Sequence, residues 1–286
     1  SSQDIIPVSK NDRILSVLPL SHIFEQAVEF HVLLQGAAIF YVPALGSSIL
    51  RKILKEKQIT KMAAVPELLR RIMLRLEAKA KEEGKEKLFS FLLRLSLRIP
   101  SRKIRKIIFQ KIHREFGGKL DLIASGGAPL QADIARKWQA LGIDIVQGYG
   151  LTETAPVLSI LYPGDKNITS IGKAVPNVQV KVAQDGEILA KGENVTPGYW
   201  QDPEKTKELF DEEGWLRTGD IGSRDEKGYL YIRGRKKIMI LTGAGQNVYP
   251  EDIEAELNRE PGVQDSAVVG LQEADRIKIH AVLLGD

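Results

Sequence analysis

The sequence predicts an α/β protein whose first part is built on a parallel sheet and whose second part is antiparallel and β-rich. Two patterns carry this reading. From residue 14 to residue 150, short apolar runs alternate with segments of helical apolar spacing, the signature of strand–helix units. Beyond residue 167 the runs shorten and alternate in polarity, as in a meander or small barrel. At 286 residues the chain also exceeds what one hydrophobic core usually serves, so more than one lobe is expected.

The elements follow in order. "ILSVLPL" (14–20) reads as a short buried strand ended by a proline, and "IFEQAVEFHVLLQG" as a helix stopped by Gly36. "AAIFYVP" is a second strand, followed by a helix through "SSILRKILKEKQ". "ITKMAAVP" is a third strand and "ELLRRIMLRLEAKAKEEG" a further helix. After a basic stretch, "KLDLIASGG" is a strand, "QADIARKWQALG" a helix closed by Gly142, and "IDIVQGYG" a strand running into a glycine-rich turn. "VQVKVAQDGEILAKG" then reads as strands around a Gln-Asp-Gly turn, and "GYLYIRGR" as another strand. Pro250 and the acids after it mark a helix start. "QDSAVVGLQ" and "IKIHAVLLGD" read as two closing strands. Trp138, Trp200 and Trp215 are read as packing residues.

Composition removes several classes of function. With no cysteine, disulfide scaffolds and thiolate metal sites are excluded. No apolar run approaches the roughly 20 residues that span a bilayer, and the first residues lack a signal-peptide core, so a cytoplasmic location is expected. The net charge of +4 hides an asymmetry: residues 70–119 carry sixteen Lys/Arg against five Asp/Glu, leaving the remainder net acidic. That segment mixes Leu, Ile and Phe with its cations at helical spacing. It suits either an interfacial helix drawn to anionic lipid, with Arg102, Lys103, Arg105 and Lys106 as its cations, or surface helices packed on the sheet. It lacks aromatics for base stacking, so nucleic acid is not expected as a partner.

Two predicted strands end in loops suited to a ligand: "LIASGGAPL", with Ser125, Gly126, Gly127 and Ala128, and "VQGYGLTET". In α/β sheets ligands gather at the carboxyl ends of strands. Glycines such as Gly148 and Gly150 let a planar group approach the main chain. Tyr149 offers it a ring, Thr152 a hydroxyl donor and Glu153 a hard oxygen suited to Mg2+. The same stretch also reads as a plain turn capped by Thr152 with Glu153 solvated. Asp220 in "RTGD" suits a turn cap as well as a ligand contact. Arg235 sits in a basic run that suits a solvated face. His22, alone after a strand, suits a buried and satisfied histidine.

"GYGLTETAP" resembles the central signature of the adenylate-forming superfamily, which contains acyl-CoA synthetases, luciferases and the adenylation domains of peptide synthetases. The resemblance extends in order through "LPLSHIFE" (18–25), "SGGAPL" (125–130), "KGENVTPGYWQDPEKTKELFDEEGWLRTGDIG" (191–222), "GYLYIRGRKKIMI" (228–240) and "GAGQNVYPEDIEAEL" (243–257). It looks most like the long-chain fatty acyl-CoA synthetase branch. It implies the large adenylate-forming domain over 1–166 (α/β) and 167–233 (barrel-like), a hinge at 234–240 and a small α+β domain from 241. It also implies fatty acid, ATP, Mg2+ and CoA as the reacting set. Transfer of the acyl group to a carrier protein, and a non-catalytic membrane-associated module, are the alternatives. By position, the resemblance sets Tyr149 against adenine, Thr152 at the α-phosphate and Glu153 on Mg2+. Asp220 meets the ribose hydroxyls, Arg235 the same nucleotide, and Gly126, Gly127 and Ala128 wall the adenine and acyl pocket. His22 is set at the acyl–CoA junction as a gate, and Gly245 near the pantetheine channel.

The sequence departs from the family at three points. No Ser/Thr/Gly-rich phosphate loop lies in residues 1–17, and no lysine stands in the Gly-Lys context of the family's catalytic lysine. A truncated chain, inactive alone, is therefore expected. Ile238 stands where the family's hinge is acidic or polar, and a β-branched residue restricts rotation there.

Overall fold

The computed structural model describes residues 6–42, 46–162, 164–165, 167–241, 247–258, 260, 262–273 and 276–285. Gly245 lies outside them. The chain forms two compact units, Ser1–Val175 and Pro176–Asp286.

The first unit is a seven-stranded sheet with helices. In chain order it contains β1 (Arg13–Ser16), α1 (Ile23–Leu34), β2 (Ala38–Tyr41), α2 (Ser47–Glu56), β3 (Lys61–Ala64) and α3 (Pro66–Glu82). Three further helices follow, α4 (Glu86–Leu97), α5 (Arg102–Ile108) and α6 (Gln110–Glu115). The unit closes with β4 (Leu122–Ser125), α7 (Ala132–Ala140), β5 (Asp144–Tyr149), β6 (Ser159–Leu161) and β7 (Lys173–Ala174). The strand order is β2-β1-β3-β4-β5-β6-β7. Pairings from β2 through β5 are parallel; β6 and β7 run antiparallel at the edge. β3 and β4 are buried along their whole length, as expected of inner parallel strands covered on both faces.

Local chemistry accounts for the helix boundaries. α3 begins with Pro66, whose missing N–H costs nothing in a first turn. α1 is followed by Gly36 at φ +68° and α7 by Gly142 at φ +82°, the left-handed geometry that ends helices. The core includes Trp138, whose ring stacks 5.9 Å from Phe116 and whose Nε1 donates to the Leu69 carbonyl at 3.3 Å. At the amino-terminal end of β3, the buried Lys61 ammonium lies 2.7 Å from Asp12 and 3.4 Å from Asp121. Burial acts to raise the Asp12 carboxyl, but bonds from Lys61, Ser9 and Thr60 outweigh it and hold it below its ordinary value.

The basic segment is more elaborate than either expectation. Its helices form a cluster in which α4 packs on α3 and α7. Several of its cations are bonded within the unit: the exposed Arg102 pairs with Asp144, Arg105 donates to the Ile99 and Gln139 carbonyls, and Lys106 to that of Leu120. Burial lowers the affinity of Lys106 for its proton. Three of the four cations expected to face lipid are thus structural.

The second unit opens with an antiparallel meander of four strands, a half-barrel. These are β8 (Val178–Val182), β9 (Glu187–Gly192), β10 (Leu216–Arg224) and β11 (Leu230–Arg235), with α8 (Pro203–Leu209) between β9 and β10. It continues with β12 (Ile240–Leu241), β13 (Asn247–Val248), α9 (Pro250–Leu257), β14 (Val263–Glu273) and β15 (Arg276–Gly285). The β8–β9 turn carries Gly186 at φ +86°, as the Gln-Asp-Gly signal required. α9 packs on β14, where the Val268 amide donates to Glu254 at 2.8 Å. The units divide at Val175/Pro176, later than the expected 166/167, because β7 pairs back onto β6 in the first sheet. Ile238 is exposed in the turn after β11, its amide donating to the Arg235 carbonyl at 3.2 Å. Trp215 lies under Lys181, 4.3 Å from its ammonium. Trp200 is not a packing residue: it is 90% exposed, on the turn closed by the Tyr199–Asp202 bridge.

Candidate functional site

In the first unit, two glycine-rich loops leave neighbouring parallel strands at the same end. β4 and β5 pair with Ser125 opposite Gln147, so the loops from Gly126 and from Gly150 emerge side by side at the carboxyl ends. Gly126 is buried and the Phe24 ring lies on it, 3.1–3.3 Å from where a Cβ would stand. Any side chain there would displace Phe24, and that contact brings the start of α1, with His22, onto the β4 loop. Gly127 has φ +83° and is exposed together with Ala128. The Ser125 hydroxyl is buried and finds no hydrogen-bond partner among the described residues.

The β5 loop is tied to itself by local bonds. Thr152–Thr154 form one 3-10 turn, ended by Ala155 at φ 48°. The buried Thr154 hydroxyl receives the Leu151 amide at 2.9 Å and lies 3.0 Å from both the Leu151 and Pro156 carbonyls. A Cβ on Gly150 would stand 1.7 Å from the Pro156 carbonyl oxygen, so only glycine allows this crossing. A Cβ on Gly148 would meet nothing within 4 Å. Thr152 is exposed, while Tyr149 and Glu153 are half-buried on the same loop. The threonine that ties the turn is Thr154, which leaves Thr152 outside the capping role that the plain-turn reading gave it.

His22 is exposed and is the N-cap of α1, its Nδ1 accepting the Phe24 amide at 3.4 Å; it is not a buried histidine. Sequence reasoning missed the acid three residues on. Glu25 is 1% exposed, takes bonds from Ser16 and the Leu18 amide, and has one carboxyl oxygen without a partner among the described residues. Burial, with Glu29 nearby, pushes its carboxyl up to about 7. The signal was present in "LSHIFE": a glutamate on the inner face of an amphipathic helix.

In the second unit, Asp220 and Arg235 stand opposite each other in the β10–β11 register. The Arg235 guanidinium donates through Nε to Asp220 at 2.9 Å; the carboxylate is buried and the guanidinium more than half exposed. Asp220 is not a turn cap but a strand residue, its amide donating to the Thr218 hydroxyl at 3.1 Å. The next residue, Lys236, is held by Asp185 at 2.7 Å and Glu187 at 2.8 Å, bonds that strengthen its hold on its proton.

Among the described residues there is no group of three acidic, histidine or cysteine side chains able to cage a metal. A hard cation at Glu153 would have one protein carboxylate and would take its other oxygens from a phosphate ligand and water. That donor set fits Mg2+.

Comparison with known proteins agrees with the geometry. The chain is 31% identical over 276 residues to long-chain-fatty-acid–CoA ligase FadD15 of Mycobacterium bovis, an alignment covering 91% of this chain and 46% of that protein. It is 34% identical over 273 residues to long-chain-fatty-acid–CoA ligase 1 of Cavia porcellus, covering 89% and 39%. The crystal structure of ATP-bound MatB from Rhodopseudomonas palustris superposes with a TM-score of 0.78 at 30% identity, over 100% of this chain and 52% of that one. The chain thus spans half or less of the length of these curated relatives. The family model for AMP-binding enzymes matches residues 1–200, and the chain belongs to that family.

Proposed function

We propose that the whole protein activates a fatty acid with ATP and passes the acyl group to CoA. In the first step a carboxylate oxygen attacks the α-phosphorus, the bond to the β-phosphate breaks, and pyrophosphate leaves with the electron pair. In the second, the CoA sulfur attacks the acyl carbonyl and AMP departs. The observation that carries the reading is the side-by-side emergence of "SGGAPL" and "GYGLTET" from the carboxyl ends of β4 and β5. The names of the relatives supply the fatty acid and CoA.

Each residue then has a positional role. Gly126, Gly127 and Ala128 form a wall that admits adenine and the acyl group, and the open space beside Gly148 leaves room for the base against Tyr149. Thr152 donates to the α-phosphate. Bound at Glu153, Mg2+ would neutralise phosphate charge. Asp220 receives the ribose hydroxyls, for which its buried carboxylate is already oriented by Arg235. His22 gates the acyl–CoA junction. The chemistry asks for position and charge, not for an acid–base pair. Residues 1–286 alone contain neither the family's phosphate loop nor its lysine motif and are expected to form no acyl-adenylate.

The test is Glu153→Ala in the whole protein, followed by pyrophosphate release with Mg-ATP and a series of fatty acids. A loss on the order of 100- to 1000-fold is expected, and unchanged turnover removes Glu153 from the metal role. Thioester formation with free CoA distinguishes this reading from transfer to a carrier protein.

A further inference from the structure

Helix α4 is apolar on two sides. Its inner side, with Leu93 and Ser96 buried, packs on α3 and α7. Its outer side leaves Leu88 53% and Phe91 55% exposed, with Leu95 beside them. At 100° per residue, Arg94, Lys87, Arg98, Phe91, Leu95 and Leu88 fall in that order within roughly 120° of one another. The outer face is thus one surface, cations along one side and apolar side chains along the other. On the neighbouring α5, Ile107 is 70% exposed and Lys103 is exposed as well. Lys87, Arg94, Arg98 and Lys103 make no ion pair among the described residues, in contrast to Arg102, Arg105 and Lys106, which are bonded within the first unit.

A helix apolar on both sides is one that expects a second covering layer. A second copy of the chain does not suit, because an isologous contact would set these cations against themselves. A hollow lies beside the face. Between α3, α4 and α6 lies a groove of about 220 Å3, lined by Leu76, Leu88, Leu92 and Ile108 and by the ion pairs Lys79–Glu115 and Lys85–Glu83. The apolar stripe of α4, with Arg94, Lys87 and Arg98 along one side of it, matches a surface that is anionic outside and hydrocarbon within.

We infer that the outer face of α4 and α5 docks on an anionic lipid bilayer, with Leu88, Phe91 and Ile107 entering the headgroup boundary and Arg94, Arg98 and Lys103 meeting lipid phosphates. The long cations lay their stems along the apolar side chains while their charges reach the headgroups. Delivery of a membrane-dissolved carboxylate is a use for such a face, but the inference stands without the activity proposed above. Vesicle binding is measured without turnover, so its failure would leave fatty acid activation standing.

The experiment is co-sedimentation of the chain with phosphatidylcholine vesicles, with and without phosphatidylglycerol. Binding only to the phosphatidylglycerol vesicles, falling with salt, is expected. Arg94→Glu/Arg98→Glu/Lys103→Glu should weaken it on the order of 100-fold or more, and Leu88→Gln/Phe91→Gln/Ile107→Gln on the order of 10-fold or more. All six positions are exposed, so both variants should fold, which their unfolding transitions would check. Equal binding to both vesicle types overturns the inference. So does a glutamine variant that binds as tightly as the parent, because the attraction would then be charge alone, as for an acidic protein.

Discussion

Glu25 gives a pH test with a definite sign. Its carboxyl is raised from an ordinary 4.5 to about 7, chiefly by burial. The folded protein therefore holds this proton where the unfolded chain has lost it. Glu25 contributes stability that is fully present below about pH 4.5 and is lost as pH rises toward 7, after which the loss is constant. A tenfold difference in proton affinity between the folded and unfolded chain is worth about 1.4 kcal/mol, so between about pH 5 and pH 8 the loss amounts to roughly 2–3 kcal/mol. Glu29 and Tyr41 are the titratable groups that interact with it. Glu25→Gln keeps the acceptor for Ser16 and Leu18 but cannot ionise. Urea denaturation of parent and variant at the two pH values should show near equality at the lower one. At the higher one the variant should be more stable by roughly that amount. A difference of the same size at both pH values would refute the reasoning, because the effect would then be packing and not proton linkage.

Two further substitutions test the loops and the nucleotide contacts. Gly150→Ala forces a Cβ onto the Pro156 carbonyl, a backbone atom that cannot move cheaply, and should destabilise the first unit by about 2 kcal/mol or more. Gly148→Ala, with open space before it, should leave stability within about 0.5 kcal/mol while raising the KM for ATP; equal effects of the two in thermal unfolding would contradict this assignment. Asp220→Asn removes a buried charge that Arg235 holds in place, and the KM for ATP in the whole protein should rise on the order of 10- to 100-fold. Because Arg235 is largely exposed, the ion pair itself adds little stability, and Tm should move little. An unchanged KM would remove Asp220 from the nucleotide site.

Much of the first unit was legible because its strands are continuous apolar runs and its helices carry Pro66, Gly36 and Gly142 at their ends. β6, β7 and β10 were not. "SIL" and "KA" are too short for a period to register, and "LRTGDIGSR" is broken by two glycines that suit a bulged strand. The Asp220–Arg235 pair was also hidden, since fifteen residues of sequence became adjacency only through the β10–β11 register. The bonding of Arg102, Arg105 and Lys106 was invisible for the same reason: their partners Asp144, Gln139 and Leu120 lie outside their own helix. Conversely, Gly127 and Gly150 were readable as glycine positions, because left-handed backbone at the one and close approach at the other leave glycine little substitute, whereas the tie by Thr154 was not.

The reversal after β5 also bears on the order in which the sheet is assembled. β5 meets β6 across Gln147–Leu161 and Tyr149–Ser159, a local hairpin. β3 meets β4 through Lys61–Leu122, with four helices in between. Closing a short loop costs less entropy than closing a long crossover, and hairpins form within roughly 1–10 μs. The strand that bears the motif is therefore expected to arrive at the parallel sheet already bent back on itself. Its turn is shaped by Gly150 and Thr154 before β4 supplies the second loop. Slow formation of the full sheet would then be set by the helical crossover, and changes in α3–α6 should alter folding rate while leaving the motif turn as it was.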